Sequence, residues 1–270
     1  MQIKELEASL GAALFERGAR QVRLTGFGEV FAPRARAILR AMEELEDLAQ
    51  ASRQGRMGRL RIGVIPTVAP YLLPRLIEHL ARLGGGLDVQ VRETVTPRLI
   101  RDLEEGRLDT AIVALPVSEP SLMEVALFTE VFVLVRPKCD TDKPVPGPEK
   151  LREMRLLLLE EGHCFRDQAL SFCSLSPLAP RELMDASSLT TLVQMVGAGI
   201  GVTLIPEMAV AVETRSAPVS VARFLPPEPQ RTIGMVWRKS SPLAAQFETV
   251  AATVRQAALE LAADHAAAAR

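Results

Sequence analysis

The residues best suited to chemistry lie in one short segment, Glu160 to Cys173. Cys164 follows His163 directly and has a cation, Arg166, two positions on, and the segment is expected near a helix N-terminus. Positive charge and backbone N–H groups at such a position favour a thiolate. Peroxide attacks a thiolate to give a sulfenic acid, which a second thiol can capture as a disulfide. Cys173 is the available second thiol.

The spacing of these two cysteines restricts how they can pair. On one continuous helix, Cys164 and Cys173 would lie on opposite faces and about 13 Å apart along the axis. A disulfide needs Cα atoms within roughly 7 Å of each other. The bond can therefore form only if the segment unwinds or refolds, and oxidation would exchange one local structure for another. The spacing predicts a redox switch rather than a structural disulfide.

Other roles for the cysteines stay open. Free cysteine is commonly buried, so Cys164 and Cys173 could be inert core thiols. A metal site built from His163 and both cysteines would lack the paired CxxC or HxxxH spacing of such sites. Cys139, in the polar loop 137–143, is predicted to be incidental. No cofactor and no metal are expected.

Composition and charge restrict the class of protein. With 32 basic and 33 acidic residues, the chain has no overall basic surface, so any DNA contact must be regional. The chain has three cysteines, an odd number, and its start is charged where a signal peptide is apolar. Both features predict a cytoplasmic, reducing location. The uncharged stretch from Ala186 to Pro206 is too polar for a membrane helix. Because Walker, Rossmann and nucleophile-elbow motifs are missing, a thiol peroxidase is the remaining enzyme alternative.

Two series of strands and helices are predicted to hold the cysteine segment. The order βαβαβ over residues 60–115 implies a parallel sheet covered on both faces. A second series implies another α/β subdomain, with the chain crossing near Val135 and returning near Trp237. The expected strands are 60–65, 87–92, 110–115, 131–135, 155–159, 201–205 and 232–237, and the expected helices are 71–83, 97–105, 188–196 and 242–263.

The ends of three predicted strands carry polar residues that could form a site. In open α/β sheets, ligands sit outside the carboxyl ends of the strands. Thr67 follows the first strand, Thr96 follows the second, and residues 161–167 follow the strand at 155–159. These three loops could face one cleft, although each threonine could instead only cap the next helix.

The first 40 residues form the basic end of the chain, with seven Lys or Arg residues against four Glu residues. A helix over 1–10, stopped by Gly11, precedes a hairpin over 14–25 with Gly18 in its turn. A small helix followed by an arginine-bearing hairpin is typical of half of a winged DNA-binding module.

A long helix is predicted from Thr25, its N-cap, to Ser52, and residues 53–58 read as a linker. Its apolar residues recur at alternating four and three spacing, which favours a coiled-coil dimer. The same stripe could instead pack on its own domain. The stripe consists of Phe31, Ala35, Ile38, Met42, Leu45 and Ala49.

Four segments together resemble the LysR-type transcriptional regulators, and within them the OxyR group of hydrogen peroxide sensors. They are Ile65–Pro74, Glu161–Gln168, Phe172–Cys173 and Pro229–Gly234, and the resemblance runs from Met1 to about Glu248. The HCxRDQ segment with a second cysteine nine residues on is specific to that group, whereas the strand and helix patterns are shared by the whole family.

The resemblance implies an α/β fold class, with an N-terminal partial winged helix-turn-helix and a long linker helix, then two α/β subdomains resembling a periplasmic binding protein. The chain opens at what resembles the later part of a recognition helix, so roughly the first 30 residues of such a module are expected to be absent and base reading weakened. The implied domains are 1–25, DNA-binding; 26–57, linker; and 58–270, regulatory, with subdomain I at 58–135 and 238–270 and subdomain II at 136–237.

Site residues follow from the same matching. Cys164 would be the peroxidatic residue and Cys173 the resolving one. The residues implied to hold the peroxide and polarise its O–O bond are Thr67, Thr96, His163, Asp167 and Arg231, and those implied to contact DNA are Lys4, Arg20 and Arg23.

The implied function is a transcription regulator, not an enzyme, that senses hydrogen peroxide through the Cys164–Cys173 pair. Its implied partners are promoter DNA, hydrogen peroxide, RNA polymerase, further copies of the chain as a homodimer or homotetramer, and a glutaredoxin- or thioredoxin-type reductant, with no membrane. Two alternatives remain at this point: a regulator of the same family that binds a small organic effector, and a thiol peroxidase.

Overall fold

A computed structural model describes residues 2–17, 22–54, 58–82, 86–172 and 185–268. Cys173, Gly18 and Arg20, which the sequence singled out, lie outside these ranges. The chain divides into two compact units, Met1–Arg56 and Met57–Arg270. Each unit is described by itself.

The N-terminal unit is a helix, a hairpin and a long helix, as predicted. Its elements are α1 (Gln2–Leu10), β1 (Phe15–Arg17), β2 (Val22–Leu24) and α2 (Gly26–Gln54). The two strands pair antiparallel, with Phe15 opposite Leu24. The Glu7 carboxylate accepts hydrogen bonds from the Leu14 and Phe15 N–H groups and so ties α1 to the hairpin.

Thr25 begins the long helix as its N-cap. Its Oγ1 accepts a hydrogen bond from the Gly28 N–H at 2.9 Å and donates one to the Ala13 carbonyl at 2.7 Å. The prediction of this cap is therefore confirmed. In the stripe along α2, Ile38, Met42 and Leu45 are each more than half exposed.

The first half of the C-terminal unit has the predicted βαβαβ order. Its elements are β3 (Arg59–Val64), α3 (Ala69–Arg82), β4 (Asp88–Glu93), α4 (Thr96–Glu104) and β5 (Thr110–Leu115). Strand β3 pairs in parallel with both β4 and β5. Leu60, Ile62 and Val64, which share one face of β3, are completely buried, whereas on the other face Gly63 is buried, Arg61 is half-buried and Arg59 is exposed.

The second half adds shorter elements around two long strands. They are β6 (Leu122–Pro137), α5 (Pro148–Glu153), β7 (Leu158–Leu159), α6 (Cys164–Phe172), β8 (Asp185–Ala186), α7 (Leu189–Gly197), β9 (Thr203–Pro206), α8 (Val210–Glu213), β10 (Val219–Arg223), β11 (Gln230–Arg238) and α9 (Ala244–Ala268). The α/β fold class is confirmed.

Strand β6 runs through both halves and changes partners midway. Its residues 122–131 pair with β11, whereas residues 132–137 pair with β9 and β10. The chain therefore crosses between Val131 and Phe132, a few residues before the predicted Val135. Only the end of this strand was predicted, because polar residues such as Glu124 and Glu130 interrupt its apolar pattern.

Strand β11 corrects the predicted return near Trp237. Its residues 232–237 pair antiparallel with β5, so β11 lies in the same sheet as β3 and β4. Pairing with β5 begins at Thr232, so the chain is already beside the first half five residues before Trp237. The domain boundaries themselves stay predictions.

The predicted strand at 155–159 is reduced to β7, with Leu156 forming a parallel bridge to Val202 just before it. Strand β7 pairs with β8 and leads directly to His163 and Cys164. Across the described residues, no helix is long and apolar enough to span a membrane.

Substitution of Gly201 by alanine is expected to destabilise the C-terminal unit. A Cβ at this position would overlap the Arg155 carbonyl oxygen, which accepts a hydrogen bond from the Val202 N–H at 3.0 Å. The expected loss is about 1–3 kcal/mol of unfolding free energy, because overpacked backbone must move. Fluorescence of Trp237, the single tryptophan, follows the denaturant unfolding of this unit.

Gly147→Ala is the matched control, because a Cβ there meets nothing within 4 Å. It should change the unfolding free energy by no more than about 0.5 kcal/mol. Equal stability of the two variants would show that the Gly201 contact with Arg155 does not hold this part of the fold.

Candidate functional site

Three loops of the C-terminal unit meet around one narrow pocket, as the strand order predicted. Thr67 comes from the loop after β3, Thr96 from the start of α4, and His163 and Cys164 from the turn after β7. Apolar residues, including Phe165, complete the walls. The gaps between these side chains are narrower than a water molecule.

The Thr96 hydroxyl is buried in this pocket and has no hydrogen-bond partner among the described residues. The N-cap of α4 is Val95, and no side chain caps this helix end. Thr96 is therefore not the helix cap that remained possible from the sequence. A buried hydroxyl without a partner costs free energy, and a bound oxygen could satisfy it.

Cys164 is a free, partly exposed thiol and the first residue of α6, as predicted. Unsatisfied N–H groups and the helix dipole make this position favourable for negative charge. The Arg166 guanidinium donates a hydrogen bond to the Leu159 carbonyl at 2.8 Å, which fastens the first turn of α6 to β7. These contacts hold the start of α6, and with it the Cys164 sulfur, at a fixed place beside the pocket.

His163 lies beside the thiol and is buried. Burial lowers its pKa below the ordinary value for histidine, although the Glu160 carboxylate opposes this shift. The imidazole is therefore neutral at neutral pH. A neutral imidazole can accept a proton or a hydrogen bond from a thiol or a peroxide.

Arg231 reaches the pocket through Thr67. Its Nη1 donates to the Thr67 hydroxyl at 2.8 Å and its Nη2 to the Thr67 carbonyl at 3.1 Å. The guanidinium is fully buried and lies near the rings of Phe132 and Phe165, 5.8 and 5.6 Å from their centres. Thr67 is therefore held in place by a side chain of β11.

Glu130 on β6 neutralises this buried cation. Arg231 Nε donates to Glu130 Oε1 at 2.7 Å, and Nη2 lies 2.6 Å from the same oxygen. Burial raises the pKa of Glu130, while the Arg231 guanidinium and the Met208 N–H oppose that rise. Its other oxygen, Oε2, is buried without a hydrogen-bond partner in the described part of the chain. Sequence reasoning missed Glu130, although an acid in an otherwise apolar strand was a visible signal.

The predicted site residues do not all line this pocket. Asp167 is exposed on α6 and lines a separate cleft of about 420 Å³ with Phe132, Phe172 and Gln230. Cys173 follows the last residue of α6 but lies outside the described residues. The structure thus brings together Thr67, Thr96, His163 and Cys164, with Arg231 behind Thr67.

The remaining candidate residues lie elsewhere. Lys4 is exposed on α1 and Arg23 is exposed on β2, both in the N-terminal unit. Cys139 is exposed, with Sγ 3.6 Å from the Asp140 carboxylate. Within the described ranges, no cluster of three His, Cys, Asp or Glu residues could hold a metal ion.

Arg231→Met should destabilise the C-terminal unit by about 3–5 kcal/mol at pH 7.5, because it leaves Glu130 buried without its cation. The raised pKa of Glu130 sets the sign of the pH dependence. As pH falls, the Glu130 carboxyl of the folded variant takes up a proton before that of the unfolded chain does. The loss of unfolding free energy relative to wild type therefore becomes smaller at lower pH. Trp237 fluorescence during urea unfolding at several pH values measures this difference in unfolding free energy.

Arg223→Met is the control, because the Arg223 side chain is 57% exposed where it pairs with Glu207. This substitution should lower the unfolding free energy by less than about 1 kcal/mol. An equal loss in both variants, or a deficit that does not vary with pH, would contradict the role given to the Arg231–Glu130 pair.

Comparison with known proteins gives the family. Residues 53–259 match the family described as "LysR substrate binding domain", and residues 1–29 match "Bacterial regulatory helix-turn-helix protein, lysR family". A probable hydrogen peroxide-inducible genes activator of Streptomyces viridosporus is 42% identical over 266 residues, 96% of this chain and 84% of that protein. The DNA-binding transcriptional dual regulator OxyR of Escherichia coli K12 is 39% identical over 259 residues, 94% of this chain and 84% of that protein.

Solved structures agree with these relatives. A cysteine-to-serine mutant of Corynebacterium glutamicum OxyR with hydrogen peroxide bound is similar with a TM-score of 0.76 and 34% identity, covering 99% of this chain and 85% of that one. A full-length mutant OxyR of Pseudomonas aeruginosa is similar with a TM-score of 0.75 and 36% identity. The match covers 94% of this chain and 86% of that one. The chain belongs to the LysR family of bacterial helix-turn-helix transcription regulators, which regulate through DNA binding and are not enzymes.

Proposed function

We propose that this regulator senses hydrogen peroxide through oxidation of Cys164. The single observation that carries the proposal is the buried Thr96 hydroxyl, which has no partner among the described residues and shares a narrow pocket with the Cys164 thiol. Once the pocket walls part, a two-oxygen molecule could satisfy this hydroxyl while it reaches the sulfur. The names of the relatives, which refer to hydrogen peroxide, support the same ligand.

The pocket residues have separate roles in the first step of the reaction. The Cys164 thiolate attacks one peroxide oxygen, the O–O bond breaks, and a sulfenic acid forms at the sulfur. The leaving hydroxide takes a proton and departs as water. His163, neutral because its pKa is lowered, can hold the proton that leaves the thiol. Thr67 and Thr96 would position the two oxygens, with Arg231 fixing Thr67.

The second step would make a disulfide and reshape the segment. The Cys173 thiol attacks the sulfenic sulfur, an S–S bond forms, and water leaves. Helix α6 is continuous from Cys164 to Phe172, the residue before Cys173, and this length corresponds to a rise of about 12 Å. Because a disulfide needs Cα atoms within roughly 7 Å, α6 would have to unwind. This requirement supports a conformational switch.

Asp167 has a less direct part in the proposal. It is exposed and lines the cleft beside the pocket rather than the pocket itself. Its proposed contribution to peroxide binding therefore requires movement of the first turn of α6. The pocket walls must also part slightly, because their gaps are narrower than a water molecule.

The switch would act on DNA through the N-terminal unit. We assign residues 1–25 to DNA binding, with Lys4, Arg20 and Arg23 contacting phosphate, 26–57 to dimerisation and 58–270 to sensing. The exposed Ile38, Met42 and Leu45 on α2 support pairing with a second copy, and two dimers would make the tetramer.

RNA polymerase at the promoter would respond to the rearranged tetramer. A regulator of DNA works in the cytoplasm, where a glutaredoxin- or thioredoxin-type reductant would restore the thiols.

The narrowness of the pocket bears on the organic-effector alternative. Its gaps do not admit a water molecule, so the walls must move for either ligand to enter. Hydrogen peroxide requires a smaller movement than an organic effector does.

Oxidation of the purified, reduced chain with a few equivalents of hydrogen peroxide tests the proposal. Peptide mass spectrometry should find a Cys164–Cys173 disulfide, with about one peroxide consumed per Cys164. Cys173→Ser should stop at the sulfenic acid, and Cys164→Ser should give neither product. Cys139→Ser is the control and should behave as wild type. No disulfide in wild type would overturn the proposal, and sustained peroxide turnover would identify a peroxidase.

Thr96→Val should slow the reaction of Cys164 with peroxide about tenfold while leaving folding stability within about 0.5 kcal/mol. The substitution removes only a hydroxyl without a described partner, so little is lost in the absence of peroxide. Thr67→Val is the contrasting variant, because it removes the acceptor of an Arg231 hydrogen bond and should cost about 1–3 kcal/mol of stability. Stopped-flow oxidation and urea unfolding measure both effects. A wild-type oxidation rate in Thr96→Val would contradict peroxide binding at this hydroxyl.

A further inference from the structure

The pocket beside Cys164 has a buried floor and a partly exposed rim. The floor consists of Ile65, Thr67, His163 and Phe165. The rim consists of Pro66, Val95, Thr96 and Cys164. A peroxide that comes from solution must therefore pass the rim before it reaches the floor of the pocket.

Val95 is the rim residue that lies against the turn leading to Cys164. It precedes α4 in the first half of the C-terminal unit, whereas Gly162 belongs to the turn between β7 and α6. A Cβ placed on Gly162 would lie 3.7 Å from Cγ2, 3.9 Å from Cβ and 4.0 Å from Cγ1 of Val95. Because these are ordinary contact distances, one methyl group would fill the space between the Val95 side chain and the Gly162 backbone.

The width of this space depends on residue 95 rather than on residue 162. Gly162 has φ +93°, a conformation in which residues with a Cβ are strained, so its side of the space carries no side chain. Val95 has extended backbone, with φ −68° and ψ 153°, which any residue adopts. The side chain of residue 95 can therefore change in size without strain in the backbone.

Hydroperoxides differ in the size of the group attached to the O–O bond. Hydrogen peroxide carries only hydrogen on each oxygen, whereas tert-butyl hydroperoxide carries a carbon substituted with methyl groups. The pocket walls must part for any oxidant, because the gaps are narrower than a water molecule. A bulky alkyl group would clash with Val95 unless the rim opened farther, and a clash of this kind discriminates between ligands.

We propose that Val95 is a specificity-determining residue, whose contact with the Gly162 turn admits hydrogen peroxide to Cys164 and hinders bulky alkyl hydroperoxides. This inference rests on the proposed function, because Cys164 must be the residue that peroxides oxidise.

The reaction at sulfur is the same for both oxidants. The Cys164 thiolate attacks the oxygen that carries hydrogen, the O–O bond breaks, and a sulfenic acid forms. Hydroxide leaves from hydrogen peroxide and alkoxide leaves from an alkyl hydroperoxide. Each takes a proton and departs as water or as the alcohol. The two oxidants therefore differ at the pocket in the size of the leaving group.

Timed oxidation of the reduced full chain, with hydrogen peroxide or with tert-butyl hydroperoxide, tests the proposal. Alkylation of the remaining thiol and peptide mass spectrometry give the rate at Cys164 alone, so the exposed Cys139 does not interfere. Val95→Ala should raise the ratio of the tert-butyl hydroperoxide rate to the hydrogen peroxide rate about tenfold or more, because it widens the rim. Trp237 fluorescence verifies that the variant is folded.

Val221→Ala is the matched control. Val221 is 38% exposed on β10 and does not line the pocket. The same substitution there should leave the ratio of the two rates as in wild type.

The outcomes separate this inference from the proposed function. If hydrogen peroxide oxidises Cys164 in wild type but folded Val95→Ala keeps the wild-type ratio, the role of Val95 is overturned and the proposed function stands. Equal rates of wild type with the two oxidants would have the same meaning. If hydrogen peroxide does not oxidise Cys164 in wild type, the proposed function fails and this inference fails with it.

Discussion

A buried arginine sets the geometry of the sensing unit. Removing a guanidinium from water is costly unless each of its faces and donors finds a partner. Arg231 meets this condition through the Glu130 carboxylate, both oxygens of Thr67 and the rings of Phe132 and Phe165. Because these partners come from β6, the loop after β3 and the start of α6, one side chain of β11 fixes all of them relative to one another.

The pocket beside Cys164 follows from this constraint. Thr67 is held by Arg231, and Phe165, which packs on Phe132 with ring centres 4.9 Å apart, holds the first turn of α6. Cys164 and His163 therefore line one narrow pocket with Thr67 and Thr96. The helix that presents the thiol extends to Phe172, the residue before Cys173 in the sequence, so sensing and conformational change would be properties of one element.

Local patterns in the sequence predicted much of this arrangement. Alternation of apolar strands and amphipathic helices over 60–115 predicted the parallel sheet, and strand ends predicted that Thr67, Thr96 and the residues before Cys164 would meet. Thr25 was recognised as a helix cap because its hydroxyl chemistry is local. These features depend on residues close together in the chain.

Features that depend on distant residues were not predictable in the same way. The length of β6 and the place of β11 beside β5 are decided by pairing across more than 100 residues, which periodicity does not reveal. The Arg231–Glu130 pair is likewise non-local, so Glu130 was overlooked. Asp167 was grouped with the pocket through the family resemblance, but the helical turn places it in the neighbouring cleft.

Oxidation of Cys164 is proposed to exchange α6 for another local structure. Hydrogen–deuterium exchange of the α6 backbone amides, compared between the reduced and the peroxide-treated full chain, measures this change. We expect slow exchange beyond the first helical turn in the reduced chain and fast exchange once the Cys164–Cys173 disulfide has formed. Unchanged protection of α6 in a chain shown to carry that disulfide would rule out the exchange of structure.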